Sequence, residues 1–242
     1  MSNSGRASLQ EPRLIQPSPS LSPLNQPPRA SRYEIGDKTL TSERSANVDG
    51  GVRWESDRAH AEATVFQNDV DNFIYTAPTA TINSGLPVFR HQQTDARLKG
   101  AELAVALDVA TPLTLRASYD HVEGTQRQSG APLPLIPPPR TIVGAELHGS
   151  NLGWAQRASI GVEIENNQRQ THLDPSDVAT AAYTLLNLDF RMDRMVRARP
   201  FRFDVDVRNA TNTTYKDFMS RYKGFAYAPG INLIFKVSTG AW

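Results

Sequence analysis

Apolar and polar residues alternate one by one along much of this 242-residue chain, and that two-residue period constrains the fold more than any other feature. Leu186, Leu188, Phe190 and Met192 fall on one face, with Asn187, Asp189, Arg191 and Asp193 on the other. Phe201, Phe203, Val205 and Val207 alternate in the same way with Arg202, Asp204, Asp206 and Arg208. Strand side chains point to opposite faces in turn, so both stretches read as two-faced strands. Applied with more tolerance, the template gives strands at 46–54, 59–68, 99–107, 113–121, 141–148, 154–166, 184–193, 201–209 and 230–242, and no helix. Gly50 and Gly51 dilute the first of these, and 99–107 also fits a helical spacing.

The connections alternate too. They are short at 55–58, 108–112 and 149–153, long at 69–98, 122–140, 167–183 and 210–229, and modest at 194–200. Consecutive antiparallel hairpins put every second connection on the same side. All long loops are therefore expected at one end of the sheet and all tight turns at the other. A soluble sandwich has no reason for that asymmetry, whereas a membrane barrel has two unlike sides. The strands are also long, about nine to thirteen residues, near the ~9–11 residues that a tilted membrane strand requires. Trp54, Trp154, Phe201 and Trp242 fall at the short-turn end, and Tyr75, Tyr119 and Tyr183 at the long-loop end. This pattern marks Trp54, Trp154, Tyr183 and Trp242 as candidate membrane-interface residues; the competing reading is that aromatics are common near strand ends. Trp242 follows the alternating set Ile231, Leu233, Phe235, Val237 one residue out of register, which a bulge near Gly240 would restore.

Composition closes other routes. Twenty-six Lys and Arg balance 25 Asp and Glu, leaving a net charge of +1 and no pull towards nucleic acid. The absence of cysteine removes disulfide scaffolds, Cys-zinc modules and thiol nucleophiles. No run reaches the ~18 apolar residues of a membrane helix, and the N-terminal stretch lacks the apolar segment of a secretory signal. Residues 1–31, with six prolines among the first 28, are expected to be disordered, and 32–242 to form the β-rich domain. Five further prolines from Pro132 to Pro139 must separate strands, because proline donates nothing to a sheet ladder.

Several segments resemble the TonB-dependent outer-membrane receptors of Gram-negative bacteria. YEIGDKTLTSERS (Tyr33 to Ser45) is similar to an extracellular segment leading into a barrel strand, and VFQNDVDNFIY (Val65 to Tyr75) to the strand that follows. LPLIPPPR (Leu133 to Arg140) resembles a proline-rich strand entry, and AYTLLNLDFR (Ala182 to Arg191) the first strand of the penultimate hairpin. The block from Val207 to Val237 resembles the closing motif N-x-x-(D/N)-x-x-Y, carried by Asn209, Asn212 and Tyr215, with its loop and final strand.

The resemblance implies an all-β fold: an antiparallel transmembrane β-barrel segment of about nine C-terminal strands, part of a barrel of about 22 strands around a plug. The resemblance also implies that plug, TonB box and signal peptide lie outside this chain, which reads as the C-terminal piece of a receptor, a truncated product or half of a split one. The full-length relative would import a ferric siderophore, haem or another metal chelate with TonB energy, TonB being met only through the plug. Lipid, lipopolysaccharide and, through the C-terminal strand, the barrel-assembly machinery are the other implied partners. No cofactor is expected. An odd number of strands cannot close antiparallel on itself, because the first and last run the same way.

Candidate sites lie in the long loops. Lys216, Arg221 and Lys223 would attract an anionic chelate, and Tyr222 would stack on it, with Phe225 and Tyr227 nearby; a lipopolysaccharide contact or plain solvation explains the same charges. His91, His121 and His172, near loop aspartates, are candidate ligands for a metal cargo, although loop His and Asp are mostly solvated. Asp217 to Lys223, reading D-F-x-S-R-x-K, is similar to the last loop of metal-chelate importers. The opposed charges of 189–193 and 202–206 read as cross-strand pairs. The chain has no G-x-S-x-G elbow, H-E-x-x-H or phosphate loop, so an enzyme is not expected. A soluble or surface β-rich binding module, or a non-functional remnant, are the alternatives.

Overall fold

The computed structural model describes residues 32–197 and 199–240. Nine antiparallel strands form one continuous sheet in chain order: β2 (Arg44–Glu55), β3 (Ala59–Asn83), β4 (Leu86–Ala110), β5 (Leu113–Gln126), β6 (Arg140–Ser150), β7 (Arg157–Asn167), β8 (Tyr183–Val196), β9 (Arg199–Arg208) and β10 (Asn232–Thr239). A tenth, short strand, β1 (Tyr33–Ile35), lies parallel to β4 at Val88 to Arg90. Residues 99–107 are strand throughout. The pairing path ends at β2 and β10, which run in the same direction.

The expected alternation of turns is present, with two differences. The connection at 194–200 is a hairpin, in which Val196 and Arg199 still pair. The connection expected at 69–98 is mostly strand. The β2 partner of β3 ends at Asp71 and the β5 partner of β4 ends at Ala96, and beyond them 71–83 and 86–95 project as a ribbon of two long strands, with β1 added along β4 at Val88 to Arg90. At ~3.3 Å per residue the ribbon rises roughly 35 Å past the rest of the sheet. A bulge between Val70 and Phe73, with Asn72 at φ 58°, marks its base. Arg127 fastens the bulge by pairing with Asp71 and reaching Asp95 at 3.6 Å.

Register converts the alternation into two faces. One row crosses the sheet through Leu107, Leu115, Ala145, Val162, Leu188, Val207 and Leu233, and another through Trp54, Ala61, Val105, Ala117, Val143, Ile164 and Leu186. These rows make a continuous apolar band, and it is open: Val52 is 72% exposed, Ile160 58% and Phe235 69%. The opposite face is polar and more enclosed, with Thr114, Asn187 and Asp193 buried. Charges there pair across strands, Arg191 with Asp204 at 2.9 Å, Arg202 with Asp193 at 2.7 Å and Arg157 with Asp193 at 2.9 Å. A sheet with its apolar face outside and its charges on the enclosed side is the inverse of a soluble sandwich.

The small apolar core sits on the enclosed face at the long-loop end. Leu133 and Ile136 of the proline-rich loop pack on Val70 and Ala96, with Phe73, Leu98 and Val122 around them. Their seat is Gly124, where a Cβ would lie 2.5 Å from Ile136 Cδ1. This loop is therefore folded inward over the sheet.

Candidate ligand-binding rim

Three long loops, 127–139, 168–182 and 209–231, meet at one rim. The last one is closed by the asparagines of the N-x-x-(D/N)-x-x-Y motif. Asn209 and Asn212 both have φ of 53°, a left-handed conformation that asparagine tolerates better than most residues. The Asn209 side chain accepts from the Thr213 N–H at 2.7 Å and donates to the Thr213 carbonyl at 2.9 Å, forming the turn out of β9. The Asn212 side-chain oxygen accepts the Ile231 N–H at 3.1 Å, which ties the far end of the loop to its start. Gly230 makes room, since a Cβ there would stand 2.4 Å from that oxygen. The Tyr215 ring packs on the Tyr183 ring with centroids 4.2 Å apart. Burial, reinforced by Asp217 and then Glu165, raises the Tyr215 phenol above its ordinary value.

Inside the loop, Phe218 is 1% exposed and Lys223 6%. The Lys223 ammonium donates to the Phe218 carbonyl at 2.8 Å, lies 3.7 Å from the centre of the Phe218 ring and pairs with Asp177 at 3.5 Å. Burial lowers its pKa, and the Asp177 charge opposes that shift. Asp177 belongs to the 168–182 loop and also accepts the Leu135 N–H of the proline-rich loop at 2.9 Å. Buried Gln170 donates to the Ile136 carbonyl at 2.9 Å and to the Pro137 carbonyl at 3.2 Å.

The apex of the last loop is open. Tyr222 is 49%, Phe225 59% and Tyr227 65% exposed; the first two rings meet edge to face at 5.8 Å. Lys216 lies 5.3 Å from the Tyr227 ring, and Arg221 reaches Glu34 of β1 at 3.9 Å. That last contact joins the β9–β10 loop to a strand lying on β4, so the sheet curls and its rim elements converge.

Of the residues expected to meet a ligand, Lys216, Arg221 and Tyr222 are thus together at the surface, while Lys223 is enclosed as a loop anchor. The three histidines do not meet. His91 Nδ1 is 3.2 Å from the Ile35 carbonyl oxygen on the ribbon. His121 lies on the outer face, 3.6 Å from Glu123 and stacked on Tyr119, and His172 contacts Thr171. Among the described residues no three metal-ligating side chains come together.

The aromatic girdle also needs correction. Trp54 and Trp154 are exposed at the short-turn end, the first on the outer face and the second in the β6–β7 turn. Tyr183 shares parity with Asn187, so its ring points to the enclosed side; Tyr119, level with Leu103 and Thr141, borders the apolar band instead. Beyond Tyr119 the outer face becomes charged, with Lys99–Glu123 at 3.0 Å and Arg97–Asp69 at 2.7 Å. Trp242 lies outside the described residues, as does the 1–31 segment; β10 stops at Thr239, and Gly240 takes a φ of 147°.

An apolar outer band, a charged inner face and interlocked loops at one rim define the wall of a membrane-spanning β-barrel of receptor type. The chain belongs to the family of TonB-dependent receptor-like β-barrels, whose model matches residues 12–235. Barrels of this family reside in the outer membrane. The fold is similar to that of the copper transporter OprC, with a TM-score of 0.72 at 18% identity over 84% of this chain and 33% of that one. BauA, the ferric preacinetobactin receptor from Acinetobacter baumannii, gives 0.60 at 16% identity over 81% of this chain and 29% of that one. The pyoverdine receptor FpvA from Pseudomonas aeruginosa PAO1 gives 0.56 at 18% identity over 87% and 32%. The chain spans about a third of the length of these structures.

Proposed function

We propose that this chain supplies barrel wall and extracellular loops to a TonB-dependent receptor that captures an anionic metal chelate at the outer-membrane surface for import. The observation that carries the reading is the apex of the 209–231 loop, where Tyr222, Phe225 and Tyr227 stand exposed beside Lys216 and Arg221. Aromatic faces and cations together suit a flat or ring-bearing chelate with negative charge. Such a patch is otherwise an unfavourable feature to leave in water. In this reading the patch faces the cell exterior, with lipid and lipopolysaccharide against the apolar and charged outer rows. The metal travels inside its chelate, so the dispersal of His91, His121 and His172 is compatible with this function. TonB would act through the plug of the assembled receptor, and catalysis has no part in the reading.

The test is capture of metal chelates by outer membranes from cells producing the receptor that contains this chain. The ferric complexes of preacinetobactin and pyoverdine form the probe set, since receptors of the same fold are named for these chelators. One probe should be retained, and Tyr222→Ala with Phe225→Ala should weaken its retention by roughly tenfold, the loss of two aromatic contacts of about 0.5–1.5 kcal/mol each. Retention of no probe, or retention unaffected by the double substitution, would overturn the reading.

A further inference from the structure

The contacts at the rim converge on one side chain. Asp177 is almost fully enclosed, and its two carboxylate oxygens serve two different loops: Oδ2 takes the Leu135 N–H at 2.9 Å, and Oδ1 faces the Lys223 ammonium at 3.5 Å. Leu135 is held in a left-handed conformation, φ 57°, between Leu133 and Ile136, which are themselves seated in the core. Lys223 in turn holds the Phe218 carbonyl and ring, and Phe218 is the buried pivot beneath the exposed Met219 and Tyr222. A path of direct contacts therefore runs from the fixed core through Leu135 and Asp177 to Lys223 and Phe218, and Lys223 is the chain neighbour of Tyr222 at the apex.

We propose that Asp177 is a positioning residue that couples the three long loops into one unit, and that it holds the apex of the last loop in its presenting conformation without itself touching a ligand. Two features of the site require the coupling. An ammonium this enclosed is costly to leave without its counter-charge, so the last loop cannot keep Lys223 inside unless the 168–182 loop brings Asp177 to it. Asp177, reciprocally, is enclosed by both neighbours, and withdrawal of either would leave one of its buried carboxylate oxygens without a donor. Neither loop can leave alone at small cost. The purpose assigned to the coupling rests on the reading of the apex as a ligand surface. The coupling itself does not.

The experiment is residue-resolved amide hydrogen exchange on the receptor that contains this chain, in lipid nanodiscs, with no ligand present. Lys223→Met keeps the packing on Phe218 and removes the charge. The Leu135 amide, which Lys223 never touches and which lies in another loop, should then exchange faster by about tenfold or more. The Ile231 amide, held by Asn212, should not change. Asp177→Ala is read in the opposite direction: the amides of Lys223 and Ala226 in the last loop should speed up, although each bonds within its own loop, to Ser220 and Tyr222. Cross-loop acceleration in either variant establishes the coupling. If each substitution accelerates exchange only within its own loop, the coupling is refuted even where chelate capture succeeds. If cross-loop acceleration is seen and no chelate is captured, the coupling stands and the apex reading falls.

Discussion

Asn212 shows how a single side chain was legible as a motif position but not as a mechanism. The spacing N-x-x-(D/N)-x-x-Y marked it, yet its work is to accept the Ile231 N–H across the loop base, through space that Gly230 leaves open. Gly230→Ala puts a methyl where the Asn212 oxygen lies, and the amide must leave Ile231. The expected cost is about 0.5–1.5 kcal/mol, that of one hydrogen bond at an exposed site, seen as faster exchange of the Ile231 amide with the strands unaffected. Lys223 was the opposite case. A lysine in a loop reads as a free cation, and nothing local announces that Phe218 and Asp177 will enclose it, since Asp177 lies 46 positions away.

Two groups of this loop whose pKa values shift on docking give it a pH profile. The pKa of Lys223 is lowered when the loop is docked, so the undocked loop binds more protons between that lowered value and the ordinary lysine range. Docking therefore strengthens as pH rises towards 10.5. The pKa of Tyr215 is raised above 10.0, so its contribution is present below that value and lost as pH rises through the raised one. Docking should be tightest near pH 10 and loosen on both sides. Because the chain has no cysteine, a nitroxide attached after Tyr227→Cys reports on this loop alone. Its mobility should pass through a minimum near pH 10, and a flat profile would contradict both shifts.

At the scale of elements, period two was enough to find every strand of the antiparallel sheet, since each needs one apolar and one polar face. It failed where that requirement lapses. The ribbon at 71–83 and 86–95 has no outer band to match, so Pro78, Asn72 and the polar run of 91–95 read as loop, although cross-strand pairing continues. Tyr183 was misplaced for a related reason: an aromatic at a strand end names a level, and only register names a face. The faces predict opposite tolerances three residues apart on β7. Val162 lies in the middle of the apolar band, and Val162→Arg should cost about 2–4 kcal/mol of stability in a bilayer, the price of a cation at mid-membrane. Ser159 faces Arg191 on the enclosed side, and Ser159→Asp should be close to neutral. Urea unfolding of the receptor that contains this chain, reconstituted in vesicles, distinguishes the two, and equal effects would mean that the faces are assigned wrongly.

For the molecule as a whole, the decisive property is the direction of its edges. β2 and β10 are separated by an even number of antiparallel steps and so run the same way, each with a free ladder. A free ladder in hydrocarbon leaves several kcal/mol per unpaired group unrecovered, so a membrane-inserted wall must have both edges paired. An all-antiparallel closure then needs an odd number of additional strands, whose own outer two both oppose β2 and β10. A second copy of the nine-strand wall cannot supply this. Inserted in the same orientation, its β2 meets β10 in parallel; inverted, it sends its charged loop rim to the wrong side. The nine-strand wall produced alone, 32–242, should therefore form no heat-modifiable homodimer in vesicles. Co-refolding it with the remaining strands of a receptor of this family should yield a species that migrates differently before and after heating. A stable, heat-modifiable dimer of the wall alone would show that parallel edge pairing is tolerated, and the parity argument would fail with it.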